Sequence, residues 1–265
     1  MWRNNVPFSP AFDVTIKRYG LIGYPLTHSF SRNYFSQKFN AEGIDDCQYD
    51  LFELPDISGL PALIRSVDNL RGLNVTIPHK QAVIPFLDEL DADSAKRIGA
   101  VNTIRFLPDG RTVGYNTDYY GFRTSLVDWL TRHQTEPASL KALVLGNGGA
   151  AKAVFAALTD LGIAYRIVSR TQTDQTIIYD RLDQSILSEY RLIINTSPLG
   201  TYPDVDNCPS IPYAYLSDRH FLYDLVYNPA ETLFMKQGSE RGSATLNGLP
   251  MLIGQAEKAW EIWNL

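Results

Sequence analysis

The stretch at residues 142–150, ALVLGNGGA, runs from a compact apolar segment straight into a cluster of glycines. Four apolar residues bounded in this way predict a buried strand, and apolar residues at helical spacing predict a helix over 150–161. Between them Gly146 permits a tight turn, while Gly148 and Gly149 allow a pyrophosphate to approach the backbone at the helix N-terminus. The stretch therefore predicts a Rossmann-like α/β unit that binds a dinucleotide.

Strands and helices alternate on both sides of this stretch, which predicts an α/β protein with two units. A linking helix at 119–131 joins the two units, and residues 1–18 are interpreted as an extension ahead of the first strand. The last helix, at 250–263, is amphipathic, and Gln255 on its apolar side is either a core residue or a ligand contact. Strands are predicted at 19–23, 47–53, 71–77, 101–107, 111–115, 142–145, 165–168, 192–194 and 221–226, with further helices at 31–42, 56–67 and 78–87.

The composition is that of an ordinary soluble protein. Of 265 residues, 45% are hydrophobic and 20% charged, and the net charge is -5 with no basic cluster, which argues against nucleic acid as a partner. The only cysteines, Cys47 and Cys208, are too few and too far apart for a disulfide framework or a zinc site, so no metal is expected. Without a membrane-spanning run or a secretory signal, we expect a cytoplasmic protein, either a monomer or a homodimer, that acts on a small molecule.

A single lysine ends the stretch at 72–80, GLNVTIPHK. Apolar residues that alternate with Asn74 and Thr76 predict a strand with one polar face, and Pro78 suits the first position of a helix. Lys80 would then lie in the first helical turn, where the dipole disfavours a positive charge and desolvation would lower its pKa towards neutrality. Such a lysine could exchange protons with a substrate, although an exposed lysine that faces water explains the same nine residues.

The end of the strand at 165–168 bears on the choice of dinucleotide. It continues as Ser169, Arg170 and Thr171, with no carboxylate at its tip to bind a ribose 2′-hydroxyl. Arg170 can pair with a 2′-phosphate through its planar guanidinium, which favours NADP. Asp174 lies close by in the sequence, so NAD stays possible.

A second carboxylate, Asp118, comes just before the linking helix. Aspartate is a good N-cap residue, and this is the simplest interpretation of its position. A cap at a cleft between two units can also serve as a catalytic partner, so the two roles are compatible.

Six motifs, in one order from about residue 19 to the C-terminus, resemble those of the shikimate dehydrogenase family, which includes shikimate/quinate dehydrogenases. They are GYPLTHSFS (23–31), NVTIPHK (74–80), GAVNT (99–103), NTD (116–118), GNGGA (146–150) and NGLPML (247–252), the last followed by Gln255. The resemblance implies reversible NADPH-dependent reduction of 3-dehydroshikimate to shikimate, on the route through chorismate to aromatic amino acids. Two alternatives stay open: an NAD-preferring quinate/shikimate dehydrogenase, and a non-catalytic sensor of dinucleotide and metabolite.

The resemblance also implies a division of the chain and a role for each matched position. A substrate-binding and catalytic domain would span 1–117, completed by 247–265, and an NADP-binding Rossmann-like domain would span 118–246. The catalytic pair would be Lys80 and Asp118, because an ammonium beside the reacting oxygen stabilises the charge that hydride transfer creates and supplies the proton. The substrate residues would be Ser29 and Ser31 for the carboxylate, and Asn74, Thr76, Asn102 and Gln255 for the ring hydroxyls. The cofactor residues would be Gly146, Asn147, Gly148, Gly149, Ala150, Ser169, Arg170, Thr171, Tyr227 and Gly248.

The chain departs from the family pattern at three of these places. Arg32 stands where the family usually has proline, at a helix start where we expect little loss of activity. Ser169 replaces the usual asparagine of the cofactor loop, and Asp174 takes the place of a second basic residue. Since a carboxylate there repels a 2′-phosphate, we expect a weakened preference for NADP.

Overall fold

The computed structural model describes residues 16–26 and 29–265. Most of the predicted N-terminal extension, and residues 27 and 28 of the first motif, lie outside this part of the chain. The elements of the first half are β1 (Lys17–Gly23), α1 (Phe30–Glu42), β2 (Cys47–Glu53), α2 (Leu60–Ser66), β3 (Leu70–Val75), β4 (Glu89–Leu90), β5 (Thr103–Phe106) and β6 (Thr112–Tyr115). Those of the second half are α3 (Thr117–Arg132), β7 (Lys141–Leu145), α4 (Gly149–Asp160), β8 (Ala164–Ser169), β9 (Thr176–Ile178), α5 (Gln184–Glu189), β10 (Leu192–Asn195), β11 (Phe221–Asp224), α6 (Leu233–Ser239), β12 (Ala244–Leu246) and α7 (Leu249–Trp263).

The first sheet has the strand order β2-β1-β3-β5-β6-β4. Its strands β2-β1-β3 are parallel, and so is the edge pair β6-β4. The pairs β3-β5 and β5-β6 are antiparallel, and the second of them joins the strands predicted at 101–107 and 111–115. Strand β1 lies between two parallel neighbours, which explains why its apolar residues run without polar interruption and are buried from Tyr19 to Gly23. The first strand begins at Lys17, two residues before the predicted start, so the N-terminal extension is shorter than the sequence suggested.

The second sheet is parallel throughout, in the order β12-β11-β10-β7-β8-β9. Its central strand β7 is the apolar run of the opening stretch, and its last four residues are completely buried. The chain leaves β7 towards β8 and later returns to the other side of β7 with β10, so the crevice beyond the carboxyl ends of these strands is where a ligand of such a sheet binds. This arrangement confirms the predicted Rossmann-like unit.

The C-terminal helix α7 leaves the second sheet and packs on the first, as the family resemblance implied. Its last residue, Trp263, lies against the rings of Tyr19, Phe35 and Tyr49, and its indole nitrogen donates to the Ile104 carbonyl at 3.0 Å. Gly72 in β3 makes room for this ring, since a Cβ there would lie 2.2 Å from the indole nitrogen. The helix is therefore joined to the first sheet by a large buried aromatic contact.

The helix predicted over 78–87 is not formed. The chain makes turns over 78–83 and a short 3-10 turn at Ile84–Phe86. Its backbone bonds to neighbouring segments instead: the Ile77 carbonyl accepts from Tyr24, and the Lys80 carbonyl accepts from Val101 at 2.7 Å. Because these long-range bonds replace the helical ones, Lys80 lies in a turn, and the helix-dipole argument for its pKa does not apply.

None of the helices in the described part of the chain is long and apolar enough to span a membrane.

Candidate active site

A cavity of about 540 Å³ opens where residues from the two halves of the chain meet. From the first half it receives the loop after β1, the start of α1 and the end of β3, and from the second half the starts of α3 and α4 and the loop after β11. All eight residues predicted to bind or act on the substrate line it: Ser29, Ser31, Asn74, Thr76, Lys80, Asn102, Asp118 and Gln255. Three of the predicted cofactor residues line it as well: Ala150, Tyr227 and Gly248.

Lys80 and Asp118 form an ion pair inside this cavity. The Lys80 ammonium donates to the Asp118 carboxylate at 2.7 Å, and the two side chains are 28% and 7% exposed. Asp118 lies in the first turn of α3, where the helix N-terminus favours a negative charge. The N-cap of this helix is Asn116, whose side chain accepts from the Tyr119 amide at 3.2 Å, so the interpretation of Asp118 as the cap is wrong. Its carboxylate is thus available to hold the lysine.

The two serines lie at the start of α1, which begins at Phe30. Ser29 is the N-cap, and its hydroxyl accepts from the Arg32 amide at 3.3 Å, while Ser31 lies in the first turn. Hydroxyls and free amides at a helix N-terminus suit an anion such as a carboxylate. Proline has no amide hydrogen, so Arg32 supplies a capping bond that the usual family residue cannot make.

Aromatic rings meet across the mouth of the cavity. Phe30 stacks on Tyr34, with ring centroids 5.5 Å apart, and meets Tyr227 from the second half edge-on at 6.0 Å. Phe30 was not predicted from the sequence, although its place between the two serines is a signal. The contact joins the two halves of the chain next to Ser29 and Ser31.

Helices α3 and α7 cross closely beside the Lys80–Asp118 ion pair. A Cβ at Gly121 would lie 2.4 Å from the Met251 carbonyl and 2.9 Å from Cγ of Gln255. This close approach brings Gln255, on α7, to the cavity near Asp118. Gln255 lies on the apolar side of α7 because this side of the helix partly packs in the core and partly lines the cavity.

The glycine turn lies next to the cavity, between β7 and α4. Gly146 has φ 115°, a backbone conformation that residues other than glycine rarely adopt. At Gly148 and Gly149 an added Cβ would meet no atom of the described residues within 4 Å, so there is open space in front of the helix N-terminus. These features fit a pyrophosphate, which needs close access to backbone amides.

The other predicted cofactor residues do not line the cavity. Ser169 is the last residue of β8, and its hydroxyl bonds to the Thr171 carbonyl. Arg170 and Thr171 are exposed, as is Asp174. Gly146, Asn147, Gly148 and Gly149 form the turn between β7 and α4, and β7 is the neighbour of β8 in the sheet.

A buried carboxylate that was not predicted from the sequence holds two loops beside the site. Asp224, the last residue of β11, is completely buried and accepts from the Thr232 hydroxyl at 2.6 Å and the Asn195 amide at 2.9 Å. It also accepts from the backbone of Val226 at 3.0 Å, one residue before Tyr227. Burial raises the pKa of Asp224 to about 6, although these hydrogen bonds oppose the shift.

We expect Asp224→Asn to change how stability depends on pH. The folded pKa lies above the usual value, so the favourable contribution of the protonated acid is complete below the unfolded pKa and is lost as pH rises through about 6. The unfolding free energy of wild type, relative to that of the variant, should therefore fall by up to about 3 kcal/mol between about pH 4 and about pH 7. Urea denaturation of both proteins across this range measures it; a constant difference would show that Asp224 does not titrate there.

Comparisons with known proteins agree with this geometry. The family described as "Shikimate dehydrogenase substrate binding domain" matches residues 21–104. A relative from Clostridium beijerinckii named "Shikimate dehydrogenase (NADP(+))" is 42% identical over 255 residues, covering 93% of this chain and 91% of its own.

Two solved structures match with the same extent. A chorismate mutase/shikimate 5-dehydrogenase fusion protein from Clostridium acetobutylicum has a TM-score of 0.80 and 36% identity, and the match covers 94% of this chain and 91% of that one. Shikimate 5-dehydrogenase from Thermus thermophilus, solved in complex with NADP(H) and shikimate, has a TM-score of 0.78 and 30% identity, with 94% and 93% covered.

Proposed function

The chain belongs to the shikimate dehydrogenase family, and we propose that it catalyses the reversible NADPH-dependent reduction of 3-dehydroshikimate to shikimate in the cavity between its two halves. One observation carries the proposal: the Lys80–Asp118 ion pair lies in the same cavity as the two serines at the start of α1. Both a proton donor and an anion site are thus within one small-molecule cavity, and a dinucleotide turn adjoins it.

We further propose a division of labour between the two halves. Residues 1–117 and 247–265 would bind the substrate, since they supply all the predicted substrate residues except Asp118. Residues 118–246 would bind NADP through the glycine turn and the end of β8. Tyr227 and Gly248 would line the cavity near the nicotinamide, where the two ligands meet.

The chemistry assigned to the chain's own residues is proton transfer and charge stabilisation. Bound NADPH supplies the hydride to the carbonyl carbon. As the carbonyl electrons move to oxygen, the Lys80 ammonium stabilises the growing negative charge and donates its proton to that oxygen. Asp118 accepts a hydrogen bond from the ammonium and so keeps it oriented before the transfer. Lys80 is partly exposed and can regain a proton from water afterwards.

The substrate's own groups match the remaining polar wall. Ser29 and Ser31 donate hydroxyl hydrogens to the carboxylate, and the helix N-terminus behind them adds a favourable field. Asn74, Thr76, Asn102 and Gln255 hydrogen-bond to the ring hydroxyls. Together these contacts orient the ring so that its ketone faces Lys80. This orientation of the substrate is the main way in which binding increases the rate.

A steady-state assay tests the proposed function. Purified protein is mixed with shikimate and NADP+, and the formation of NADPH is followed by its absorbance. We expect turnover that saturates in both ligands and that reverses with 3-dehydroshikimate and NADPH. If shikimate is not oxidised with either NADP+ or NAD+, the proposal fails, and a binding-only role for the cavity takes its place.

The exposed carboxylate near Arg170 gives a prediction about cofactor preference. Asp174→Arg replaces a repulsive charge near the 2′-phosphate by an attractive one, and each such exposed interaction is worth about 0.2–1 kcal/mol. We therefore expect kcat/KM for NADP+ to rise about fivefold, with little change for NAD+. Asp174→Asn, which only removes the repulsion, is the matched control and should give a smaller rise. Equal changes in kcat/KM for NADP+ and NAD+ would show that Asp174 does not lie near the 2′-phosphate.

A further inference from the structure

An arginine joins the two halves of the chain at the end of α4 that lies farthest from the glycine turn. Arg97, in the first half, donates from both terminal nitrogens to the carboxylate of Asp160, at 3.1 and 2.7 Å. Asp160 is the last residue of α4, and one Arg97 nitrogen also donates to the Ala156 carbonyl of this helix at 3.1 Å. Bidentate geometry fixes the guanidinium in direction as well as in distance. The contact therefore restrains the end of α4 relative to the first half.

Tyr119 of α3 completes this set of side chains, the Arg97 cluster, which consists of Arg97, Tyr119 and Asp160. The Tyr119 hydroxyl donates to the Asp160 carboxylate at 2.6 Å, and the carbon of the Arg97 guanidinium lies 5.4 Å from the centre of the tyrosine ring. Hydrogen bonds from Arg97 and Tyr119 lower the pKa of Asp160, so its carboxylate is charged at neutral pH. Tyr119 directly follows Asp118, the partner of Lys80, so the Arg97 cluster adjoins the proposed catalytic pair.

The backbone around Arg97 is connected to the turn that carries Lys80. Arg97 directly follows a short helical turn at Ala92–Lys96. Farther along, the Val101 amide donates to the Lys80 carbonyl at 2.7 Å, and the next residue, Asn102, lines the cavity. Arg97 thus belongs to the side of the cavity that carries Lys80 and Asn102.

Helix α4 is a stiff connection between the Arg97 cluster and the glycine turn. A helix of its length spans about 18 Å. Val154 and Leu158 are completely buried, in the core that contains residues of β7 and β10, so α4 moves with the second half. The helix begins at Gly149 of the glycine turn, and Ala150 lines the cavity. A change in the angle of α4 at Asp160 therefore displaces the end at which we propose that the pyrophosphate binds.

We propose that Arg97 is a positioning residue: by pairing with Asp160 it holds the second half at the angle that places the hydride donor against the substrate ketone. The inference rests on the proposed function, because it concerns how the two ligands are brought together. Lys80 lies in the first half and the glycine turn in the second, so the separation of the reacting atoms depends on this angle. A misplacement of about 1 Å can slow an oriented reaction about 10²-fold.

Arg97→Ala should lower kcat for shikimate oxidation about fivefold. The two side chains of the pair are 42% and 30% exposed, so its loss reduces the population of the productive angle and does not abolish it. Kd for shikimate, measured by calorimetry, should keep its wild-type value, because Arg97 does not line the cavity. Steady-state kinetics with both ligands saturating measures kcat. An unchanged or raised kcat would overturn the proposal, as would an equal loss of shikimate binding.

Two comparisons separate positioning from the loss of a surface charge. Arg111→Ala is the matched control, because Arg111 is exposed and pairs with Glu89 and Asp109 inside the first half, so kcat should keep its wild-type value. In a double-mutant cycle, Asp160→Ala should lower kcat by the same factor as Arg97→Ala, and the double variant by no more than either alone. A double variant that is about 25-fold slower would show independent effects and overturn the proposal.

The angle between the halves is measurable without turnover. Cys47 in β2 and Cys208, between β10 and β11, are free and partly exposed, so each half can carry one nitroxide label. Pulsed double electron resonance should give one narrow distance distribution in wild type and a broader one in Arg97→Ala. If wild type shows no turnover, the proposed reaction fails, and this measurement still decides whether Arg97 sets the angle. An unchanged distribution would overturn the inference.

Discussion

Lys80→Ala should lower kcat for shikimate oxidation by about 10²–10⁴-fold, the usual contribution of a positioned general acid or base. KM for shikimate should change far less, because the proposed substrate contacts of the serines, asparagines and Gln255, which line the same cavity, are left intact. The reason is that Lys80 is the cationic side chain among the residues that line the cavity in the described part of the chain, and it is held there by Asp118. Steady-state kinetics with saturating NADP+ separates the two parameters.

Two further variants are controls for Lys80→Ala. Lys80→Arg keeps a positive charge but does not release a proton near neutral pH, so we expect kcat to stay low. Lys236→Ala removes an exposed lysine from α6, away from the cavity, and should retain wild-type rates. A large rise in KM with kcat preserved in Lys80→Ala would reduce Lys80 to a binding residue.

Trp263→Ala should destabilise the protein by about 3–5 kcal/mol, as expected for truncating a buried tryptophan. The ring packs on Tyr19, Phe35 and Tyr49, and its indole hydrogen satisfies the Ile104 carbonyl. Removal leaves a cavity that Gly72, without a side chain, cannot fill, and it leaves a buried carbonyl without its donor. Urea denaturation followed by circular dichroism measures the loss.

The matched control for this variant is Leu265→Ala, two residues farther along. Leu265 is 74% exposed, so its truncation should change the unfolding free energy by less than about 0.5 kcal/mol. Equal denaturation midpoints for wild type and Trp263→Ala would show that the aromatic contact does not hold α7 on the first sheet. Because α7 also carries Gln255, we expect the destabilised variant to bind shikimate more weakly.

The elements that the sequence predicted well are those with strong local signals. Residues 142–150 combine an apolar run with glycines. This pattern allows few other structures, so it predicted β7, the turn at Gly146 and α4. The helix at 78–87 was predicted from Pro78 alone, and it failed because the surrounding segments offer backbone partners that no local rule contains. The cap of α3 was misplaced by two residues, since Asn116 and Asp118 are both good capping residues.

The site itself was predictable only in part. The glycine turn and the basic end of β8 were predicted from the sequence by physical arguments about phosphate binding. That Ser29, Asn74, Asp118 and Gln255 meet in one cavity was predicted only from the resemblance to a family. Asp224 was missed because it ends a strand of apolar residues and its hydrogen-bond partner Asn195 is distant in sequence. Long-range hydrogen bonds of this kind become visible only in the folded chain.

The most direct test of the account is a comparison of kcat/KM for shikimate and quinate, each with NADP+ and with NAD+. We expect shikimate with NADP+ to give the highest value, because in the proposed binding mode Arg170 pairs with the 2′-phosphate and the polar cavity wall binds the hydroxyls and carboxylate of shikimate. A higher kcat/KM for quinate with NAD+ would contradict the proposed NADP-dependent oxidation of shikimate. It would indicate that Asp174, rather than Arg170, determines which dinucleotide binds.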